Sequence, residues 1–360
     1  MEIVLYKSIT TALAISVVFT PVLVKISRRK GYVASVNHRS SHALSVPNTG
    51  GIILCFAVLT PLILFSDYPQ QADFSVLITA FAVLLITGII DDFNPIPVTF
   101  KFLGQFIPAI VIVTSIDQQE LVIPFIKELV ELPFIFNYLF WIVFVVMSIN
   151  AFNLIDGIDG LALGLGMVSG MFYSIYFFII AEYNLLIFSI SLVFGLLGLF
   201  FYNITDKFKI FIGDTGSLLI GGLLVFFALK YIDFSGADTK NQSFFMVLAS
   251  IFIPLADMLR IALVRIAHGQ SPFKADRQHI HHIMLDLLGK KHLAATSVLL
   301  LVQIMVLYLF HQISLLDRPP YFYIIITSFL VYFMAVHVLK YYRDKQLSKD
   351  KCQSNRYANF

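Results

Sequence analysis

A run of about twenty apolar residues is what a helix needs to cross the ~30 Å hydrocarbon core of a bilayer, and this chain repeats such runs along nearly its whole length. They fall near residues 3–24, 44–66, 73–90, 99–116, 135–152, 160–181, 184–202, 211–232, 243–264, 293–314 and 320–340. In lipid a helix satisfies its own backbone groups. The expected fold is therefore all-α, a polytopic membrane helix bundle of about eleven transmembrane helices. Residues 1–340 are expected to form one transmembrane domain and 341–360 a basic cytoplasmic tail. Only 13% of the 360 residues are charged and 58% are hydrophobic. Soluble domains carry about 25% charge, so the excess apolar surface must face lipid. A net charge of +3 spread over short loops argues against a nucleic-acid partner. The first run has no small-residue cleavage site after it and reads as a retained helix.

Orientation follows from the basic residues, which concentrate in cytoplasmic loops. With the first loop inside, Lys25, Arg28, Arg29, Lys30 and Arg39 are cytoplasmic. Alternation then puts Lys207, Lys209, Arg265, Lys274, Arg277, Lys290 and Lys291 on the same side, together with the tail from Lys340. Only Lys7, Lys127, Lys230, Lys240 and Arg318 fall opposite. The N-terminus is expected outside and the C-terminus in the cytoplasm, across a plasma (inner) membrane. The basic tail reads as a solvated anchor near anionic headgroups. No internal repeat marks the halves.

With this topology, five polar clusters reach one face: Asn48-Thr49-Gly50-Gly51; Asp91-Asp92 with Lys101; the segment from Asn150 and Asn153 through Asp156 and Asp159 to Gly160; Gly213-Asp214-Thr215-Gly216-Ser217; and a loop with Arg265, Asp276, Arg277, His279, His281 and His282. Ionisable groups at membrane depth are expensive and usually functional. The adjacent carboxylates Asp91 and Asp92 resist joint ionisation unless a cation neutralises them, and Lys101 is placed to do so in part. Hard oxygens suit Mg²⁺, which shares its shell with substrate phosphates. The i, i+3, i+6 spacing of Asn153, Asp156 and Asp159 fits one side of a helix, but Gly157 and Gly160 favour a broken turn. Either acid would serve as an ordinary helix cap; two acids and two asparagines exceed that need. Asp214 opens a helix whose N–H groups and dipole favour an anion such as phosphate. The histidines at alternate positions do not match common zinc spacings. Hydrogen bonding of imidazole to phosphate or sugar oxygens is preferred, with Arg265 and Arg277 supplying planar forks.

Taken together, in this order and spacing, the clusters resemble the polyprenyl-phosphate N-acetylhexosamine-1-phosphate transferase family over nearly the whole chain. Asp276-Arg277-Gln278 followed by His279-Ile-His281-His282 looks like the branch that transfers N-acetylglucosamine 1-phosphate. The branch that transfers phospho-N-acetylmuramoyl-pentapeptide tends to show three consecutive histidines. The family's aspartate-rich loop often carries a third acid where this chain has Pro95, so no role for that acid transfers.

The resemblance implies a glycosyltransferase enzyme that uses UDP-GlcNAc and undecaprenyl phosphate, releases UMP and starts synthesis of a surface polysaccharide (lipopolysaccharide O-antigen, common antigen or teichoic-acid linkage). It implies Mg²⁺, with Mn²⁺ able to substitute, held by Asp214 and Asn153. Catalytic roles fall to Asp91, Asp92, Lys101, Asp156, Asp159 and His279. Substrate contacts fall to Asn48, Thr49, Gly50, Asn150, Asp156, Asp159, Arg265, His279, His281 and His282. A homodimer stays open. Other readings are another UDP-N-acetylhexosamine donor, a multi-pass transporter and a zinc protein using the histidine loop. A transporter predicts charges near the midplane and often repeated halves; here the acids close or open predicted helices.

Overall fold

The structure, a computed structural model, describes residues 2–31, 46–67, 72–116, 123–125, 133–236, 239–272, 277–317 and 319–357. Asp276, Lys274, Arg39, Lys127 and Arg318 lie outside the described residues. Helices account for the ordered elements, and no strand occurs among the described residues. In chain order they are α1 (Glu2–Lys30), α2 (Gly50–Phe65), α3 (Ala72–Phe93), α4 (Val98–Thr114), α5 (Phe134–Ile155), α6 (Leu161–Ile179), α7 (Tyr183–Ile204), α8 (Gly213–Asp233), α9 (Lys240–Ser250), α10 (Phe252–Ala267), α11 (Ile280–Leu287), α12 (His292–Ser314) and α13 (Tyr321–Tyr357). Among the described residues, seven helices are long and apolar enough to cross a membrane, or eight with α9 and α10 taken as one bent span. The apolar α2 and α4 are shorter. The protein is a multi-pass membrane helix bundle.

Helix α8 stands at the centre, nearly all of it buried, while α13 is almost wholly exposed along its apolar stretch. Small residues let neighbours reach α8 backbone to backbone. A Cβ on Gly88 of α3 would lie 2.3 Å from Thr215 Cα, and one on Gly51 of α2 would lie 2.3 Å from the Gly216 nitrogen. Close approach of this kind is how helices associate where lipid removes the hydrophobic drive between them. It brings the carboxyl end of α3 and the amino end of α2 against the amino end of α8.

The predicted span 243–264 is not one helix. It breaks at Ile251 into α9 and α10, which meet at 80°. Pro254 has no N–H to offer the Ser250 carbonyl, and its ring crowds that group. The freed backbone is satisfied from the side. Buried Gln303 of α12 donates to Ala249 O at 2.7 Å and Ser250 O at 3.0 Å, and accepts from Ile253 N at 3.1 Å. Ser169 Oγ donates to the same Ser250 carbonyl at 2.5 Å. Neighbouring side chains must do this, because hydrocarbon offers no water.

Helix α13 runs unbroken through the basic segment beyond residue 340 to Tyr357. Lys340 Nζ donates to Gln278 Oε1 at 2.8 Å and Arg343 Nη1 to the Arg277 carbonyl at 3.2 Å. These two cations brace the histidine segment.

Gln303→Leu strips three hydrogen bonds from the break. Each buried unsatisfied group costs about 1–3 kcal/mol, so detergent-solubilised protein should lose roughly 2–4 kcal/mol in unfolding measurements. Gln312→Leu, on an exposed position of α12, should change stability by less than about 0.5 kcal/mol.

Candidate active site

Asp92 closes α3 and reaches the amino end of α8. Its carboxylate accepts from Asp214 N at 2.8 Å, Thr215 N at 2.9 Å and Thr215 Oγ1 at 2.6 Å. Ile212, at the cap position of α8, makes no side-chain cap bond, so a residue 122 positions away supplies the cap. The two donors expected for a substrate phosphate are thus held by the protein's own anion. The anion that the amino end of α8 was expected to favour is, within the protein itself, the Asp92 carboxylate.

The partner acid is also engaged. Asp91 Oδ2 pairs with Lys101 Nζ at 2.6 Å, and Asp91 Oδ1 accepts from Ile96 N at 2.8 Å. Pro95 and Pro97 make the turn: Phe100 N and Lys101 N bond the Pro97 carbonyl, starting α4 with Lys101 in its first turn. Lys101 reaches on to Asp214 Oδ1 at 3.0 Å. Asn153 Nδ2 donates to the same Asp214 oxygen and to Ser217 Oγ at 2.9 Å. One ammonium therefore ties α3, α4 and α8, and one amide adds α5.

The 47–51 segment runs beside 211–212 through Phe211 N to Pro47 O (2.9 Å), Gly50 N to Phe211 O (3.0 Å) and Gly51 N to Ile212 O (3.0 Å). Asn48 faces the cleft. Thr49 is buried, with its hydroxyl 3.4 Å from Ser27 Oγ. Gly50 is buried under the Phe211 carbonyl, which a Cβ would meet at 2.7 Å. Thr49 and Gly50 therefore pack against the 211–212 segment, while Asn48 lines the cleft.

Helix α5 stops at Ile155, and the chain turns through Gly160, whose φ is +77°, before α6. The broken turn is as expected, and neither acid caps α6. Asp156 projects into a polar cleft of about 290 Å³ shared with Asn48, Asn153, Asp159, Asp214 and His292. Burial, followed by the carboxylates of Asp214, Asp92 and Asp159, pushes the Asp156 carboxyl up to about 8. Asp159 is held differently: Lys209 Nζ lies 2.6 Å from its Oδ2, and Thr296 Oγ1 donates to its carbonyl at 2.7 Å.

A second cavity, about 780 Å³, adjoins the first, with Asn153 and Gly157 lining both. Its body is apolar, formed by Phe102 and Phe106 of α4, Val143 and Val146 of α5, and Leu259 and Ile261 of α10. Its polar mouth carries Lys101, Asn150, Arg265, His279, His281 and His282. The predicted loop here includes a short helix, α11, with His279 at its cap. A Cβ on Gly157 would lie 2.1 Å from His281 Nε2, so only glycine lets the ring approach the turn. Burial, then the neighbouring His282 and His279, holds the His281 imidazole well below its usual range, and burial with Arg277 lowers His282 to about 4. Both rings are neutral at neutral pH and offer one acceptor nitrogen each. Arg265 is turned in part to the Pro272 carbonyl.

The glycosyl transferase family 4 pattern matches residues 74–232. The chain is 30% identical over 311 residues to a decaprenyl-phosphate N-acetylglucosaminephosphotransferase of Mycobacterium leprae, covering 78% of this chain and 77% of that protein. The chain belongs to glycosyl transferase family 4. A probable undecaprenyl-phosphate N-acetylglucosaminyl 1-phosphate transferase of Bacillus subtilis is 29% identical over 324 residues, covering 89% of this chain and 87% of that protein. An undecaprenyl-phosphate alpha-N-acetylglucosaminyl 1-phosphate transferase of Escherichia coli K12 is 30% identical over 267 residues, covering 72% and 71%.

This family 4 chain also carries two buried charges next to the histidine segment. Asp257 and Arg260 of α10 are buried beneath the histidines, with Arg260 Nη2 at 2.8 Å from Asp257 Oδ1 and His279 Nδ1 at 2.8 Å from Asp257 Oδ2. Both lay inside the predicted ninth span, where an ionisable residue is itself a signal of function. Asp257, His279 and His281 bring ligand atoms within 4.8 Å of one another. Arg260 already neutralises that carboxylate, which disfavours zinc at this place.

The Asp156 carboxyl has a pH signature. Its folded value lies above its unfolded value of about 3.9, so the folded state binds the extra proton. Stability therefore falls as pH rises between the two values. In EDTA, Asp156→Asn should unfold at a higher temperature than the parent at pH 8–9, and the difference should vanish near pH 4. A difference independent of pH would contradict the assignment.

Proposed function

We propose that this protein transfers N-acetylglucosamine 1-phosphate from UDP-GlcNAc to undecaprenyl phosphate. The products are undecaprenyl-pyrophosphoryl-GlcNAc and UMP, and the reaction initiates a cell-surface polysaccharide such as O-antigen, common antigen or a teichoic-acid linkage unit. The observation that carries the proposal is the meeting of two unlike cavities at Asn153 and Gly157. A nucleotide sugar suits the polar cleft, and an isoprenoid suits the apolar groove with its phosphate among Lys101, Arg265 and the histidines. Relatives named for the same transfer support the chemistry. On this reading the bundle has eleven spans, completed by α2, α3, α4 and the bent α9–α10, with the N-terminus outside and the site facing the cytoplasm of the inner membrane.

The donor set fits Mg²⁺. Hard oxygens from Asp214, Asn153 and Asp156 converge on one cleft, the donor type that Mg²⁺ takes. Asp214 and Asn153 would hold the ion, Asn153 through its carbonyl oxygen, since its Nδ2 is given to Asp214 and Ser217. When bound, Mg²⁺ or Mn²⁺ supplies charge neutralisation for the pyrophosphate and the departing UMP.

An oxygen of the lipid phosphate attacks the β-phosphorus, and the bond to the UMP oxygen breaks with its electron pair leaving on UMP. Lys101 stands where charge accumulates, oriented by Asp91 and Asp214. Asp92, with all three of its hydrogen bonds directed at α8, keeps Asp214 in place. A phosphomonoester has a second pKa near 6, so the acceptor needs no strong base. Direct in-line displacement follows in preference to a covalent aspartyl phosphate, because both Asp91 and Asp92 are committed to partners.

The test is purified protein, polyprenyl phosphate, Mg²⁺ and a panel of radiolabelled UDP-sugars, scoring labelled lipid and released UMP. UDP-GlcNAc should give both products. Transfer from another UDP-hexosamine alone, or uptake into vesicles without UMP release, would overturn the proposal. Asp214→Asn should lose about 100-fold or more in kcat while folding and inserting normally; near-normal Mg²⁺-dependent turnover in that variant would remove the metal assignment.

A further inference from the structure

Asp257 lines neither cavity, yet polar groups of three elements converge on it. Its Oδ2 accepts from His279 Nδ1 at 2.8 Å, and both oxygens lie 3.2 Å from Ile280 N, the first residue of α11. Arg260 Nε and Nη2 approach Oδ1 at 3.2 and 2.8 Å, and Tyr332 Oη of α13 donates to it at 3.3 Å. Arg260 continues to the Gln278 carbonyl at 2.6 Å, and Lys340 takes the Gln278 side chain. The carboxylate therefore joins α10, α11 and α13 at the residue where the histidine segment begins.

Because Nδ1 of His279 is committed to Asp257, the ring's other nitrogen, Nε2, lies on the edge away from the carboxylate. His279 lines the groove mouth. A carboxylate on one imidazole nitrogen fixes both the tautomer and the direction of the other, as it does for metal-bound and catalytic histidines elsewhere.

We propose that Asp257 is a positioning residue for the transfer reaction: it holds the His279 ring so that Nε2 faces the phosphate end of the apolar groove. The proposal rests on the transferase reading above. Asp257 acts through His279 and contacts no substrate. Asp257→Asn is the informative change. The single amide oxygen stays with Arg260 and Ile280 N, which presents –NH₂ to Nδ1 and drives His279 to the opposite tautomer.

Wild type, Asp257→Asn, His279→Ala and the double variant are compared in the UDP-GlcNAc assay, each first checked for a monodisperse peak and a cooperative thermal transition. Asp257→Asn should lower kcat by about 10–100-fold with the KM for UDP-GlcNAc within about threefold, the range for partners that orient a functional histidine. The double variant should be no slower than His279→Ala, because residues acting as a unit are not additive. Multiplied losses, or a normal kcat in Asp257→Asn, overturn the proposal. Since Asp257 also neutralises Arg260, Asp257→Asn/Arg260→Gln removes both charges and must show the same kcat loss; full activity there also overturns it. An activity-free readout separates this idea from the transferase reading. ¹⁵N-histidine spectra should show His279 with its proton on Nδ1 in the wild type and on Nε2 in Asp257→Asn. An unchanged tautomer counts against the positioning role, whereas a wild type that releases no UMP counts against the transferase.

Discussion

The Asp92 carboxylate on the first N–H groups of α8 is the contact on which the remaining geometry depends. It neutralises a helix amino end that the dipole makes attractive to anions, and it does so from the far end of α3. That bond fixes where Asp214 begins its helical turn, and hence where Lys101 can bridge Asp91 to Asp214. Without it α8 would keep its buried middle but lose the register of its first turn. Gly51 and Gly88 serve the same end sterically, since any side chain there would push the neighbouring helices off α8.

Much of this was legible in the sequence because a bilayer imposes a length. Apolar runs of about twenty residues can hardly be anything but helices, and the helices observed overlie every run expected. The acids that close or open those runs had to gather wherever the helix ends gathered, so the grouping of Asp92, Asn153, Asp156 and Asp214 followed from topology. Individual roles did not follow. A cap contributed from 122 residues away leaves no local pattern, so the bond from Asp92 to α8 was not legible. The burial of Thr49 and Gly50 was not legible either, because it comes from backbone pairing with the distant 211–212 segment. The break at Ile251 did have a signal in Pro254, but the apolar run across it was long enough to read as one span. Asp257 and Arg260 were hidden by the same run.

The two cavities differ in the way the two substrates of a lipid-linked transfer differ. Carboxylates and amides dominate the smaller one, while the larger combines phenylalanine, valine and leucine walls with Lys101, Arg265 and the histidines. The protein thus separates solvation problems that one pocket could not meet together.

The apolar groove is not closed off from the flank of the bundle. Residues of the groove such as Val98, Phe106 and Val143 are also exposed on the outer surface of the bundle, so the trough is open along its flank. A long isoprenoid can therefore lie with only its head and first units enclosed while the remainder stays among the acyl chains. Such a trough grips the front of the molecule and contains no ruler for its far end.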